Sequence, residues 1–224
     1  MQPFDLSRIN GPHAGQPVIT EGPDPGKAAA ALVLIHGRGA GAQDILGLGR
    51  EITGALNRRD LLLLAPHAMR STWYPQRFME PEEYNQPWLD SAREAVQYLV
   101  RHVTEKGLAR SRVFLLGFSQ GACLVADAAA RHPHRYGGLF ILSGGLIGPP
   151  GSAFDFTGDL RGTPALVGCS DIDPHIPHQR VLETAQVLEK LGAAVDQRTY
   201  PGMGHTINTD ELEKIVSTIQ TVLA

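Results

Sequence analysis

Six short apolar runs, 31–36, 61–65, 112–117, 138–143, 164–169 and 195–200, alternate with stretches of helical spacing along nearly the whole chain. No other feature restricts the fold as much. Each run is rich in Leu, Val, Ile or Phe and stops at Gly, Pro or a polar residue, the pattern of strands that are mostly buried on both faces. Between them, Leu89, Ala92, Val96, Leu99 and Val103 recur at helical intervals, as do Leu212, Ile215, Val216, Ile219 and Leu223. Residues 43–57, 120–131 and 178–191 read as further helices, and Asn208 with Glu211 three positions on marks the start of the last one. Strand and helix in strict alternation require an α/β fold with a mostly parallel central sheet and helices on both faces. A segment around Val18 to Thr20 is expected to add an antiparallel edge strand.

At 224 residues, with no internal repeat or linker, the chain is expected to form one domain, 1–224, large enough to bury its own core. An apolar fraction of 42% excludes a disordered chain, and a net charge of −3 without a Lys/Arg run argues against nucleic acid as a partner. The N-terminus lacks a basic start followed by an apolar core, and the longest early apolar run, Ala28 to Ile35, is too short to span a bilayer. A cytoplasmic location without stable membrane insertion is the expectation. Cys123 and Cys169 fall in or beside core elements and are read as reduced, small apolar residues. A homodimer stays open, since a surface patch has no one-dimensional signature.

The chemistry concentrates where a strand meets a helix. Gly117-Phe-Ser119-Gln-Gly121 lies at the junction of the run at 112–117 and the helix at 120–131, the context of a nucleophile elbow. The turn is so tight that side chains two positions before and after the serine would strike the neighbouring strand and helix, and glycine relieves both. Placed at a helix N-terminus, the serine oxygen sits where unpaired N–H groups favour negative charge, so the Gln120 N–H is a natural oxyanion donor. A serine also needs a base, and the base needs a carboxylate to fix its tautomer. His205 follows the last strand run, in Pro-Gly-Met-Gly-His205, and Asp173 follows the fifth, with Asp171 as its rival. All three fall just beyond strand ends, where open α/β sheets place their ligands. The loop after the first run, His36-Gly-Arg38-Gly-Ala-Gly41, supplies a second candidate donor in the Arg38 N–H. Its glycine spacing does not match that of a dinucleotide-binding turn.

With these residues in place the chain resembles the phospholipase/carboxylesterase family of small α/β-hydrolases, from about residue 30 to the end. The resemblance rests on Leu34-Ile-His-Gly-Arg-Gly39, Leu64-Ala-Pro66, Gly117-Phe-Ser-Gln-Gly-Ala122, Leu142-Ser-Gly144, Asp173-Pro-His-Ile-Pro177 and Gly204-His205. It implies an α/β-hydrolase fold without a separate lid domain and a Ser119, Asp173, His205 triad. Asp173 is favoured over Asp171 because the family's acid precedes a proline. It further implies an oxyanion hole from Arg38 and Gln120, and acyl ester or thioester substrates with no cofactor or metal. The chain departs from the family's pattern at Arg38, where an apolar residue is expected, and in the connection 66–88.

That connection has two tryptophans, four prolines and no clean period, as functional loops often do. Trp73, Tyr74, Phe78, Met79 and Trp88 from it, with Leu146 and Ile147, are the expected lining of a substrate pocket. Arg38, Arg70 and Arg77 are candidates to meet a carboxylate or phosphate at its mouth. A serine carboxylesterase acting on short- to medium-chain acyl esters is therefore the leading expectation. Its alternatives are an acyl-protein thioesterase or lysophospholipase with the same triad, and a catalytically silent binding module on the same scaffold.

Overall fold

Along the first parallel strand, Leu32 and Leu34 point to one face of the sheet while Ala31, Val33 and Ile35 point to the other, and all five are buried. Side chains alternate in a strand, so a run that is apolar at every position needs cover on both sides. The computed structural model describes residues 4–224 and supplies that cover. Its strands are β1 (Val18–Glu21), β2 (Ala30–Ile35), β3 (Leu61–Pro66), β4 (Val113–Phe118), β5 (Gly138–Leu142), β6 (Pro164–Ser170) and β7 (Ala194–Tyr200). Its helices are α1 (Ala42–Leu56), α2 (Trp88–Glu105), α3 (Gln120–Arg131), α4 (His178–Lys190) and α5 (Thr209–Leu223). Ile45, Leu46 and Ile52 of α1 and Ile215 and Ile219 of α5 pack on the Leu32/Leu34 face. Helices α2, α3 and α4 pack on the other, through residues such as Val96, Leu99, Val125 and Val181.

The seven strands run in the order β1-β3-β2-β4-β5-β6-β7. β1 lies antiparallel to β3, with Val18 opposite Pro66, and every other pair is parallel. The parallel sheet is the one expected from the alternation, the antiparallel edge is the one expected around Val18, and together they give the α/β-hydrolase arrangement that the resemblance implies. Two boundaries shift for local reasons. The fourth strand extends to Phe118 and delivers the chain straight into Ser119, and the fifth stops at Leu142 because Ser143 takes a left-handed backbone, φ 51°. The last strand is an edge and only partly buried, and it carries Asp196 and Arg198 in ion pairs with Lys214 and Asp210. Such charges discourage pairing with a further strand. β2 through β7 are mutually parallel, so their C-terminal ends share one edge of the sheet, where the candidate residues gather.

Candidate active site

The backbone at Ser119 has φ 56° and ψ −120°, a conformation that a non-glycine residue holds only under constraint. The constraint comes from both sides: Ser119 N donates to Leu142 O at 3.0 Å, and Ser119 O accepts from Cys123 N at 3.0 Å. The flanking glycines are sterically required. A Cβ on Gly117 would lie 2.3 Å from Gly121 O, and one on Gly121 would lie 2.1 Å from Ile35 O.

His205 reaches this serine from the loop between β7 and α5. Its Nε2 lies 2.8 Å from Ser119 Oγ, and its Nδ1 lies 2.6 Å from Asp173 Oδ2. With Nδ1 donating to the carboxylate, Nε2 is the basic nitrogen and accepts the serine hydroxyl. Asp173 has no exposed side-chain area, and its Oδ1 accepts from the N–H groups of His175 and Ile176 at 2.8 and 3.1 Å. Burial pushes its carboxyl upward, but the His205 hydrogen bond and these backbone donors outweigh it and hold the group below the ordinary Asp range. Cys169 Sγ lies 3.7 Å from Asp173 Oδ2, and burial pushes its thiol up to about 12. Asp171 instead accepts from Gly202 N at 2.8 Å, tying the aspartate turn to the histidine loop. The two rivals thus hold different parts of that loop, Asp173 the His205 ring and Asp171 the Gly202 backbone.

Arg38 and Gln120 both line the cavity over Ser119. Gln120 opens α3, so its N–H has no acceptor within the helix, and the Arg38 N–H makes no hydrogen bond among the described residues. The side chains of the same two residues do something the sequence did not signal. Gln120 Oε1 accepts from Trp73 N at 2.9 Å, and its Nε2 donates to Tyr74 O at 2.8 Å. The Arg38 guanidinium donates to the carbonyls of Tyr74, Pro75 and Gln76 at 2.9, 2.8 and 2.6 Å. Beneath them, His36 donates from Nδ1 to Gly37 O at 2.7 Å and accepts at Nε2 from Ala68 N at 3.1 Å. Desolvation lowers its pKa to about 4, so the ring is neutral. Ala68 and residues 73–76 are therefore held by His36, Arg38 and Gln120.

A cavity of about 440 Å³ opens over Ser119 and His205, bordered by Tyr74, Pro75, Gln76, Arg77 and Phe78, and by Phe118, His175 and Ile176 across from them. A second, of about 210 Å³, adjoins it at Arg77, Phe78 and His175 and reaches Met79. Of the expected lining, Tyr74 and Phe78 border the first cavity and Met79 only the second. The other four lie elsewhere. Trp73 is fully buried because its indole N–H donates to His36 O at 2.8 Å, and Trp88 opens α2 and packs edge-on against His13. Leu146 and Ile147 are core residues, because the buried Arg180 side chain grips the carbonyls of Leu146 and Gly148 at 2.7 and 2.8 Å. Among the arginines, Arg38 is engaged with carbonyls and Arg70 does not reach the cavity, which leaves Arg77 on its rim.

Residues 15–223 match the model of a family described as Phospholipase/Carboxylesterase. The chain belongs to that family. A phospholipase/carboxylesterase from Dyadobacter fermentans shares 38% of its sequence with this member, with a TM-score of 0.85 over 92% of this chain and 96% of that one. The mouse lysophospholipase-like protein 1 is 28% identical over 88% of this chain and 89% of its own length. An acyl-protein thioesterase 1 from Gibberella zeae is 32% identical over about half of each chain, 52% and 51%. By membership the protein is a carboxylic ester hydrolase.

Within this family member, the residues that sequence reasoning passed over are Pro75, Gln76, Phe118, His175 and Ile176 on the cavity wall, and the side chain of His36 beneath it, while Asp171, weighed only as a rival to Asp173, holds the histidine loop at Gly202. His175 had a signal, lying two positions beyond Asp173, and its ring now stands edge-on to His205 at 4.9 Å. Among the described residues no three His, Cys, Asp or Glu side chains converge as a metal site requires, and no helix is long and apolar enough to cross a membrane.

Proposed function

We propose that this family member is a serine carboxylesterase that cleaves short- to medium-chain acyl esters through Ser119, His205 and Asp173. The observation that carries the reading is the continuous relay from Ser119 Oγ to His205 to the buried Asp173, at 2.8 and 2.6 Å, opening on a cavity of ligand size. His205 Nε2 takes the Ser119 proton as Oγ bonds to the ester carbon. The carbonyl pair shifts onto its oxygen, which the Arg38 and Gln120 N–H groups receive. Collapse of this intermediate breaks the bond to the alcohol oxygen, which takes the proton back from His205. Water then repeats the sequence on the acyl-enzyme, releasing the acid and restoring the serine. Asp173 stays ionised throughout and stabilises the imidazolium.

The thioester alternative uses the same residues and is supported by the names of the thioesterase relatives. A silent scaffold would have no use for a strained serine, an aligned base and two unspent donors together. The test is hydrolysis of p-nitrophenyl esters from acetate to palmitate by the wild type and Ser119→Ala, with circular dichroism on both. Turnover that falls by about 10⁴-fold or more in a folded Ser119→Ala protein is expected. A folded wild type that cleaves none of these esters overturns the reading.

A further inference from the structure

The wall of the Ser119 cavity is electrostatically one-sided. It includes Arg38 and Arg77 and not one Asp or Glu, and the N-terminus of α3 adds its partial positive charge. Two carboxylates line the adjoining second cavity, and one of them, Asp173, has its side chain buried and taken up by His205 and two backbone N–H groups. Most arginines of this molecule are spent: Arg50, Arg58, Arg93, Arg101, Arg131, Arg180 and Arg198 sit in ion pairs, and Arg38, Arg112 and Arg135 on carbonyls. Among the described arginines left with neither kind of partner, only Arg77 borders the cavity. It stands where the two cavities meet, and its main chain is fixed, since Arg77 O accepts from Glu80 N and Asn85 Nδ2 at 3.2 Å each. Glu80 borders only the second cavity and makes no ion pair with it.

We propose that the site selects esters bearing an anionic group, a carboxylate or a phosphate, and that Arg77 is the residue that recognises it. The proposal rests on the ester-hydrolase reading above and names its substrate class. A guanidinium fits both anions in a forked pair of hydrogen bonds, and a wall without carboxylates offers no competing partner. The contact is at the rim and partly in water, so it acts chiefly on substrate capture and is weakened by salt.

The test compares charged and neutral esters of matched size: mono-p-nitrophenyl glutarate against p-nitrophenyl pentanoate for an anion on the acyl side. On the alcohol side, p-carboxyphenyl and p-(phosphooxy)phenyl butanoate are set against p-methylphenyl butanoate. The expected result is a charged-to-neutral ratio of kcat/KM that is about fivefold higher in the wild type than in Arg77→Ala on at least one arm, carried by KM. Arg77→Lys keeps part of that preference, Arg77→Glu reverses it, and 1 M salt shrinks it by about the whole of the exposed-pair effect. The responding arm tells which side carries the anion and whether it is carboxylate or phosphate. Ser119-dependent cleavage of the neutral esters, with charged-to-neutral ratios that Arg77→Ala and Arg77→Glu leave unmoved on every arm, overturns the proposal and spares the hydrolase. A folded wild type that cleaves no ester on any arm removes the hydrolase reading and the proposal together.

Discussion

Two long connections without regular strands or long helices leave the active edge of the sheet, 67–87 after β3 and 143–163 after β5, and they have opposite fates. The first borders the cavity with Tyr74, Gln76, Arg77 and Phe78, whereas the second turns Leu146 and Ile147 into the core. Both are held by an arginine on main-chain carbonyls. Arg38 is exposed and sits on the loop that carries the proposed oxyanion donor, while Arg180 is buried in α4 and reaches Leu146, Gly148 and Pro149. The difference lies in the element that supplies the hook: a hook from the catalytic edge keeps its loop at the site, and one from a helix behind the sheet draws its loop inward. Apolar residues after a strand end become lining or core accordingly.

The strongest attempt to break this contrast is to remove each hook. Arg180→Ala leaves buried carbonyls unpaired and is expected to lower unfolding stability by about 3–5 kcal/mol, read by urea denaturation. Arg38→Ala, at the surface, is expected to cost about 1 kcal/mol or less in stability. Its damage is to positioning, with kcat falling about tenfold. Equal stability losses would dissolve the distinction. A smaller effect comes from truncating one apolar residue of each loop. Leu146→Ala should cost about 3 kcal/mol with the chain-length profile of p-nitrophenyl esters retained. Phe78→Ala should move that profile toward longer acyl chains.

Acid sharpens the comparison further. His36 supports the first connection at Ala68 and is neutral in the fold, its pKa lowered to about 4 by desolvation. The unfolded chain therefore takes up a proton first as pH falls, and stability present above the unfolded value near 6.5 is lost on the way down to about 4. The loss from this group is on the order of 2–3 kcal/mol. Comparing unfolding of wild type and His36→Gln from pH 7 to 4.5 should show a shallower fall in the variant. Hydrogen exchange should show 67–76 loosening in acid before 143–149; the reverse order would mean that the buried arginine hook is the weaker one.

Much of this architecture is legible in sequence because it rests on periodicity and excluded volume. Leu61 to Ala65 can only be a strand covered twice, and Gly117 and Gly121 are demanded by carbonyls 2.3 and 2.1 Å from where a Cβ would stand. The choice between Asp171 and Asp173 was finer, since both point from one short turn, and residue type says nothing about which meets a ring and which a backbone N–H. The lining was least legible. Trp73 and Trp88 share a composition signal with Tyr74 and Phe78, but an indole N–H seeks an acceptor, and Trp73 finds the His36 carbonyl inside the protein. The hooks of Arg38 and Gln120 left no trace at all, for their partners are main-chain atoms that every residue carries.

That last property bears on how this enzyme could diversify. Arg38 and Gln120 hold residues 73–76 almost entirely by the peptide groups of that segment. The side chains of Pro75 and Gln76 take no part in the grip, so they can be rewritten by evolution or by a protein engineer while the proposed oxyanion donors stay where they are. Recognition of substrate and stabilisation of the reaction are built on the same few residues, yet they inherit separately.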